Sequence, residues 1–410
     1  MTAPDRSLAT AVPDRGSPAE VFRVFLKLGL TSFGGPIAHL GYFRDELVKR
    51  RRWIDETGYA DLVALCQFLP GPASSQVGFA LGLLRGRGLL GGLAAWCGFT
   101  LPSAALLCAF ALGAAALTGP VAEGVLHGLK LVAVAVVAQA VWGMARTLTP
   151  DRERAAIALA AVAFTVFVGG SLGQIGAIVL GAAAGLRLCR HGGPTLAGRL
   201  SFPVSRRGGG VALALFAAIF LAAPALATAT GAQGLALFDA FYRSGTLVFG
   251  GGHVVLPLLQ AEVVPPGWVS NEAFLEGYGL AQAVPGPLFT FAAWLGAVMG
   301  SPPNGLAGAA IALVAIFLPG LLLAYGTLPF WDALRLRPGA QSAMRGANAA
   351  VVGILGAALY SPVWTSAVLA PRDFALALAG FLLLTVWKAP PWTVVLGLAA
   401  AGAAVPLMGP

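Results

Sequence analysis

Apolar runs dominate the chain, and polar positions fall in short clusters between them. Uninterrupted apolar stretches cover 89–117, 121–145, 211–230, 305–330 and 343–365. Each is long enough to cross the roughly 30 Å hydrocarbon core of a bilayer at about 1.5 Å per residue. They predict a polytopic membrane protein built from helices. Two segments interrupt the pattern. "LCQFLPGPASSQVGFALG" (Leu65–Gly82) places Pro-Gly-Pro inside an apolar run, and "LAQAVPGPLFTFAAWLG" (Leu280–Gly296) does so again. Proline removes a backbone donor and clashes with the preceding turn, so neither segment is a continuous helix.

The duplication extends well beyond the triplet. "FLKLGLTSFGGP" (Phe25–Pro36) lies over "FYRSGTLVFGGG" (Phe241–Gly252), matching Phe25 to Phe241, Lys27 to Arg243, Gly29 to Gly245 and Phe33-Gly34-Gly35 to Phe249-Gly250-Gly251. After one gap, "WIDETGYADLVALCQFLPGP" (Trp53–Pro72) lies over "WVSNEAFLEGYGLAQAVPGP" (Trp268–Pro287). Trp53 then meets Trp268, Asp61 meets Glu276, Gln67 meets Gln282, and the triplets coincide. Leu101-Pro102 matches Leu318-Pro319, and His127-Gly128 matches Arg345-Gly346. Order and near-constant spacing define two homologous halves, although the final two apolar segments give no convincing match.

Charge orients the halves. "RDELVKRRRW" (Arg44–Trp53) and "RGRG" (Arg85–Gly88) flank the first triplet segment and are basic; their counterparts, "LQAEVVPPGW" (Leu259–Trp268) and "GSPPNG" (Gly300–Gly305), carry no Lys or Arg. The positive-inside rule puts the first pair in the cytoplasm and the second outside, which makes the repeat inverted. Residues 53–84 begin and end on one side with only about 16 residues on either side of Gly71, too few to span the core. They predict a re-entrant hairpin turning at Pro70-Gly71-Pro72, its second arm restarting on a Pro-compatible first turn. Residues 22–43 predict another, turning at Phe33-Gly34-Gly35-Pro36, and this keeps the basic stretches 146–154, 187–207 and 335–345 cytoplasmic.

Composition agrees and adds limits. The 410 residues are 58% hydrophobic and only 10% charged, with mean hydropathy +0.81, where soluble domains carry about a quarter charged residues. Residues 1–20 are polar, lack the apolar core of a cleavable signal and predict a disordered tail. The expected order is that tail, a first repeat over 21–188, a basic linker over 189–210, a connector helix over 211–230 and a second repeat over 235–410. Cys66, Cys97, Cys108 and Cys189 show no CxxC spacing, so neither a disulfide framework nor a metal site is expected. The net charge of +9 is compatible with an anionic substrate and equally with basic cytoplasmic loops.

Broken helices suggest chemistry. A helix that restarts after a break leaves N–H groups unpaired, which in hydrocarbon costs several kcal/mol unless protein, water or a ligand meets them. Its N-terminus carries roughly half a positive charge and receives anions readily. The turns at Gly34-Gly35, Gly71, Gly250-Gly251 and Gly286 would aim four such termini at one midplane cavity. Ser74, Ser75 and Gln76 add hydroxyls and an amide after the first triplet, where "PLFTF" after the second offers only Thr290. The alternative is a tight loop between packed helices. Lys27 and Arg243 sit at matched apolar positions, where a cation costs about 2.5–3.5 kcal/mol on insertion scales; they line an anion pathway or snorkel to the interface. Lys130 is similarly placed, opposite Asn348 in the second half. Asp61 and Glu276 are candidate proton carriers, or else caps and ion-pair partners near the surface. His39 and His253 follow the Gly-rich turns and either titrate or pack as neutral imidazoles. Trp53 and Trp268 suit interfacial anchors. "GVLHG" (Gly124–Gly128) and "GAIVLGAAAG" (Gly176–Gly185) have helix-packing spacing.

"FGGPIAHLGYFRDELV", "QFLPGPASSQ" and the second-half "FGGG" and "VPGP" resemble the chromate ion transporter family in its long, two-domain form, over residues 20 to about 365. The resemblance implies an inner-membrane protein that exports chromate under the proton-motive force and confers chromate resistance, with sulfate as the competing or alternative oxyanion. Its motif positions fall on Phe33 to Pro36, His39, Gln67, Pro70 to Pro72, Ser74, Ser75, Phe249 to Gly251, Gln282 and Pro285 to Pro287. The expected partners are the anion, the bilayer and a second copy of the chain; no nucleic acid, cofactor or metal is expected. An intramembrane hydrolase is the rival class, but GxSxG, HExxH and P-loop motifs are missing from the sequence. A membrane scaffold subunit is the other rival.

Overall fold

The structure is a computed structural model describing residues 16–114, 119–189, 202–331, 333 and 337–404. Most of the expected tail and of the expected linker lies outside the described residues. Among the described residues every regular element is helical. The first half comprises α1 (Pro18–Thr31), α2 (Gly35–Phe43, prolonged by a π-helical stretch Arg44–Arg50), α3 (Glu56–Phe68) and α4 (Ala73–Arg85). It continues with α5 (Leu89–Ala114), α6 (Pro120–Leu148), α7 (Arg152–Val168) and α8 (Gly170–Leu188). The connector is α9 (Arg206–Thr230), which starts before the apolar run because the Ser205 hydroxyl accepts from Gly208 N–H and caps it.

The second half repeats this order. It runs α10 (Gln233–Thr246), α11 (Val255–Val263, after a 3₁₀ turn Gly252–Val254), α12 (Asn271–Ala281) and α13 (Phe291–Ala297, after a 3₁₀ turn Leu288–Thr290). Then follow α14 (Gly305–Thr327), α15 (Pro338–Ala358), α16 (Pro371–Thr385) and α17 (Pro391–Ala404). The repeat therefore continues past residue 365, where comparison of the two sequences finds no match: α16 and α17 stand in the places of α7 and α8. These outer helices leave large apolar side chains such as Phe167, Leu172, Val386 and Leu396 exposed. A lipid-facing surface needs only apolar residues, so identity drifts there while the helices persist.

The two broken elements of each half are present as helix–break–helix hairpins. In the first half the arms have 14, 16 (α2 with its π-helical stretch), 13 and 13 residues, about 20–24 Å of rise. Among the described residues six helices are long and apolar enough to cross a membrane: α5, α6, α8, α9, α14 and α15 with its extension to Ala367. A hairpin returns to its own side whatever its depth, and the consecutive pairs α5–α6 and α7–α8, the latter packed on each other, each return to the side they leave. The first half thus ends where it began, and the single connector α9 starts the second half on the other side. The chain is a multi-pass membrane protein with an inverted repeat.

The halves are interleaved. Helix α8 packs along α15 and α7 joins it; reciprocally, α17 and α16 pack along α6. Small residues allow this approach. A side chain at Gly346 would run into the Gly181 carbonyl, and one at Gly402 into the Gly124 carbonyl, so both small-residue stripes lie at cross-half contacts. Gly29 against Gly98 and Phe99, and Gly245 against Ile316, do the same for α1 on α5 and α10 on α14.

Candidate functional site

The four breaks meet. Gly34, Gly71, Gly250 and Gly286 have φ of +96°, +116°, +73° and +103°, a region that only glycine occupies at little cost. Gly71 N–H donates to the Val248 carbonyl at 2.8 Å, and Gly286 N–H donates to the Ser32 carbonyl at 2.9 Å. Gly71 matches Gly286 and Ser32 matches Val248, so each Pro-Gly-Pro turn is tied to the other half's Phe-Gly-Gly turn by the same bond. The two Phe-Gly-Gly turns touch as well, Pro36 lying against Gly252.

Prolines in the long helices seat the triplets. Pro102 and Pro319 lie inside α5 and α14, at matched positions. A β-carbon on Gly71 would come within 3.1 Å of Gly320 Cα, and one on Gly286 within 2.8 Å of Ser103 Oγ. Each triplet therefore rests on the residue that follows the kink proline of the opposite half. The buried amide of Gln76 fastens one of these contacts, donating to the Pro70 carbonyl at 2.9 Å and to the Gly320 carbonyl at 3.0 Å.

Capping separates the outer helix starts from the inner ones. Of the four first arms, α1, α3 and α12 begin on a side-chain cap, from Ser17, Asp55 and Ser270. The four second arms, which start at the breaks, have none; their caps are Gly34, Pro72, Gly251 and Pro287. Four uncapped N-termini gathered at one crossing give a positive local potential without a formal charge.

Polar side chains collect on the first-half side of the crossing. His39 is buried, with Nδ1 3.4 Å from Ser74 Oγ and its ring edge-on to Phe99 at 5.3 Å. His253 instead meets the buried Tyr278 hydroxyl at 2.7 Å. Ser74 and Ser75 are buried in the first turn of α4. Gln67 is exposed in the last turn of α3, and Gln282, the residue that ends α12, donates to Tyr278 O at 3.5 Å. Gly250 and Gly251 are lined by Met144, and Gly250 also faces Asn348.

The matched charges lie apart from the crossing. Lys27 pairs with Glu46 at 3.5 Å, and Arg243 pairs with Glu262 and Asp239, both at 3.0 Å. Glu46 and Glu262 are themselves matched, so the pairing is part of the repeat. Asp61 is buried in α3. Glu276 is half-buried on α12, within electrostatic reach of Lys130 on α6, the helix on which α12 packs. His127 bridges the halves, with Nε2 3.0 Å from Asp373 Oδ1 on α16. Sequence reasoning missed Ser32, Thr100, Ser103, Tyr278 and Asp373; Glu46 and Glu262 were visible as aligned carboxylates.

Comparison with known proteins agrees with this architecture. The family model described as "Chromate transporter" matches residues 19–186 and 235–403, so it covers both halves through α17. The chain is 30% identical over 404 residues to the "Chromate transport protein" of Pseudomonas aeruginosa, covering 92% of this chain and 89% of that one. It is 29% identical to the "Probable chromate transport protein" of Synechococcus elongatus, over 83% of each chain. To the "Chromate transport protein" of Cupriavidus metallidurans it is 27% identical, over 94% of this chain and 92% of the relative. No solved structure matches the chain significantly. A duplicated, interleaved helical membrane fold whose two halves both match one family model establishes that this chain belongs to the chromate transporter family.

Proposed function

We propose that the protein exports chromate from the cytoplasm across a bacterial inner membrane, driven by the proton-motive force, and so confers chromate resistance. The observation that carries this reading is the convergence of four helix N-termini, none with a side-chain cap, at one buried crossing. Such N–H groups suit a tetrahedral dianion, which accepts hydrogen bonds from every direction and needs no counter-cation when enough dipoles face it. Gly34, Gly35, Gly71, Gly250, Gly251 and Gly286 let backbone approach the anion, while His39, Ser74 and Ser75 contribute side-chain contacts. Gln76 holds the first triplet in place. Lys27, which shares Glu46 with Arg50 and Arg51, keeps positive charge at the first hairpin base, and Arg243 is held between Asp239 and Glu262 at the second. Gln67 and Gln282 mark the approach to each triplet. Discontinuous helices at the interface of an inverted repeat are the arrangement through which many secondary transporters alternate access. Asp61 and Glu276 are the proton carriers in this reading.

Sulfate shares the charge and shape of chromate and is the second substrate this reading admits. The relatives named as chromate transport proteins favour chromate. The test is uptake of chromate into inside-out membrane vesicles containing the protein. Uptake is expected to rise with an acid-inside gradient, to fall with a protonophore and to be competed by sulfate. Vesicles that take up no chromate, with or without the gradient, would overturn the proposal. Sulfate uptake without chromate uptake would reassign the substrate.

A further inference from the structure

The crossing is symmetric in its backbone and lopsided in its side chains. Ser32, Ser75 and Thr100 are buried, and their hydroxyls have no hydrogen-bond partner among the described residues; the same holds for His39 Nε2. A buried hydroxyl without a partner costs roughly 1–3 kcal/mol, so several in one place require an explanation. Thr100 is especially telling. Most threonines elsewhere in these helices donate back one turn, as Thr31 does to Lys27, Thr246 to Tyr242, Thr327 to Leu323 and Thr385 to Phe381, with Thr165 in the outer helix α7 another exception. Thr100 does not do this.

These groups are linked through shared neighbours at the crossing. The Ser32 carbonyl holds Gly286 N–H, and Ser103, one turn from Thr100 on the same face of α5, lies against Gly286. His39 packs on Phe99 and touches Ser74, the neighbour of Ser75. The second-half counterparts are different in kind. Val248 stands for Ser32, Phe289 for Ser74, and Phe317 for Thr100. Thr290 stands for Ser75, but its hydroxyl is spent on the Pro287 carbonyl at 2.7 Å.

We propose that side-chain recognition of the substrate is one-sided: the hydroxyls of Ser32, Ser75 and Thr100, with His39, all from the first half, bind a tetrahedral oxyanion, against which the second half presents backbone and an apolar wall. This deepens the function proposed above and rests on it. Ser32 and Thr100 become specificity-determining residues. Each hydroxyl donates to an anion oxygen, and each loss weakens binding without altering the helix breaks.

The experiment measures half-saturating chromate for uptake into vesicles by the full chain, with elution of the detergent-solubilised protein as a check on folding. Thr100→Val keeps the shape of the side chain and removes the donor. It should raise half-saturation about tenfold, as one charged hydrogen bond implies, while maximal uptake stays near wild type. Ser32→Ala should act alike. Thr100→Ser should retain wild-type half-saturation, which separates the hydroxyl from mere packing. Thr290→Val should stay within about twofold of wild type. If Thr290→Val weakens chromate as much as Thr100→Val, or if Thr100→Val and Ser32→Ala leave half-saturation unchanged in a transporting protein, one-sided recognition is overturned while the transport reading stands. A wild-type protein that takes up neither chromate nor sulfate overturns both.

Discussion

Glu46 and Glu262 each close on the cation 19 residues before them, Lys27 or Arg243, yet the two pairs have different surroundings. The Lys27 side chain is 54% exposed, and Glu46 also receives Arg50 and Arg51, both at 2.8 Å. Removing Lys27 leaves Glu46 neutralised, so Lys27→Ala should cost less than about 1 kcal/mol. Arg243 is 28% exposed and stands between Asp239 and Glu262. Its loss leaves two largely buried carboxylates facing each other, which costs about 3 kcal/mol. Thermal unfolding of the purified protein should therefore show Arg243→Ala clearly destabilised, Arg243→Lys partly restored and Lys27→Ala close to wild type. Equal midpoints for the two alanine variants would contradict this. Glu276 allows a separate test: with proton coupling at this carboxylate, Glu276→Gln should abolish stimulation by a pH gradient yet preserve chromate exchange at equal pH, and loss of both would make it structural. The aligned carboxylates were legible in "RDELV" and "LQAEV", but those stretches enter the sequence reading only as net loop charge. Ser32 and Thr100 were not legible, because an isolated hydroxyl in an apolar run ordinarily bonds its own helix.

Both hairpins of each half could be read from the sequence because Pro, Gly and arm length act locally: Pro-Gly-Pro stops a helix wherever it stands. What the triplets rest on is set by the other half, some 250 residues away in the case of Gly71 and Gly320, and no local pattern announces it. Helices α16 and α17 were hidden for a related reason, since lipid selects composition there and leaves identity free. The element scale also supplies a sharp contrast between glycines. At Gly71, with φ of +116°, a β-carbon would lie 3.0 Å from Gln76 Nε2 and 3.1 Å from Gly320 Cα. At Gly210 in α9 the same atom would meet open space. Gly71→Val should reduce chromate uptake by more than about tenfold, since the left-handed backbone alone costs about 1–2 kcal/mol per residue with a side chain. Gly210→Val should leave uptake near wild type. Equal activity of the two variants would mean that the first triplet need not sit on the α14 kink.

At the scale of the whole molecule, the two halves do not lie side by side as separate bundles; each lends its last two helices to the other. Pairing of α8 with α15 and of α17 with α6 is reciprocal, as is the exchange of bonds between Gly71, Val248, Gly286 and Ser32. Reciprocity of this kind follows from a two-fold axis, and with a single crossing between the halves that axis lies in the plane of the membrane. Thr57 and Glu272 test the consequence directly. They are matched by the repeat, both are exposed, and each lies in the first turn of the hairpin that leads to its Pro-Gly-Pro. In a background where Cys66, Cys97, Cys108 and Cys189 are replaced, a cysteine at position 57 should react with a membrane-impermeant maleimide only after the cytoplasmic face is opened. A cysteine at position 272 should react in intact cells. A parallel repeat would label both from one side, and the axis would then have to stand along the membrane normal, which a single 25-residue connector such as α9 does not allow.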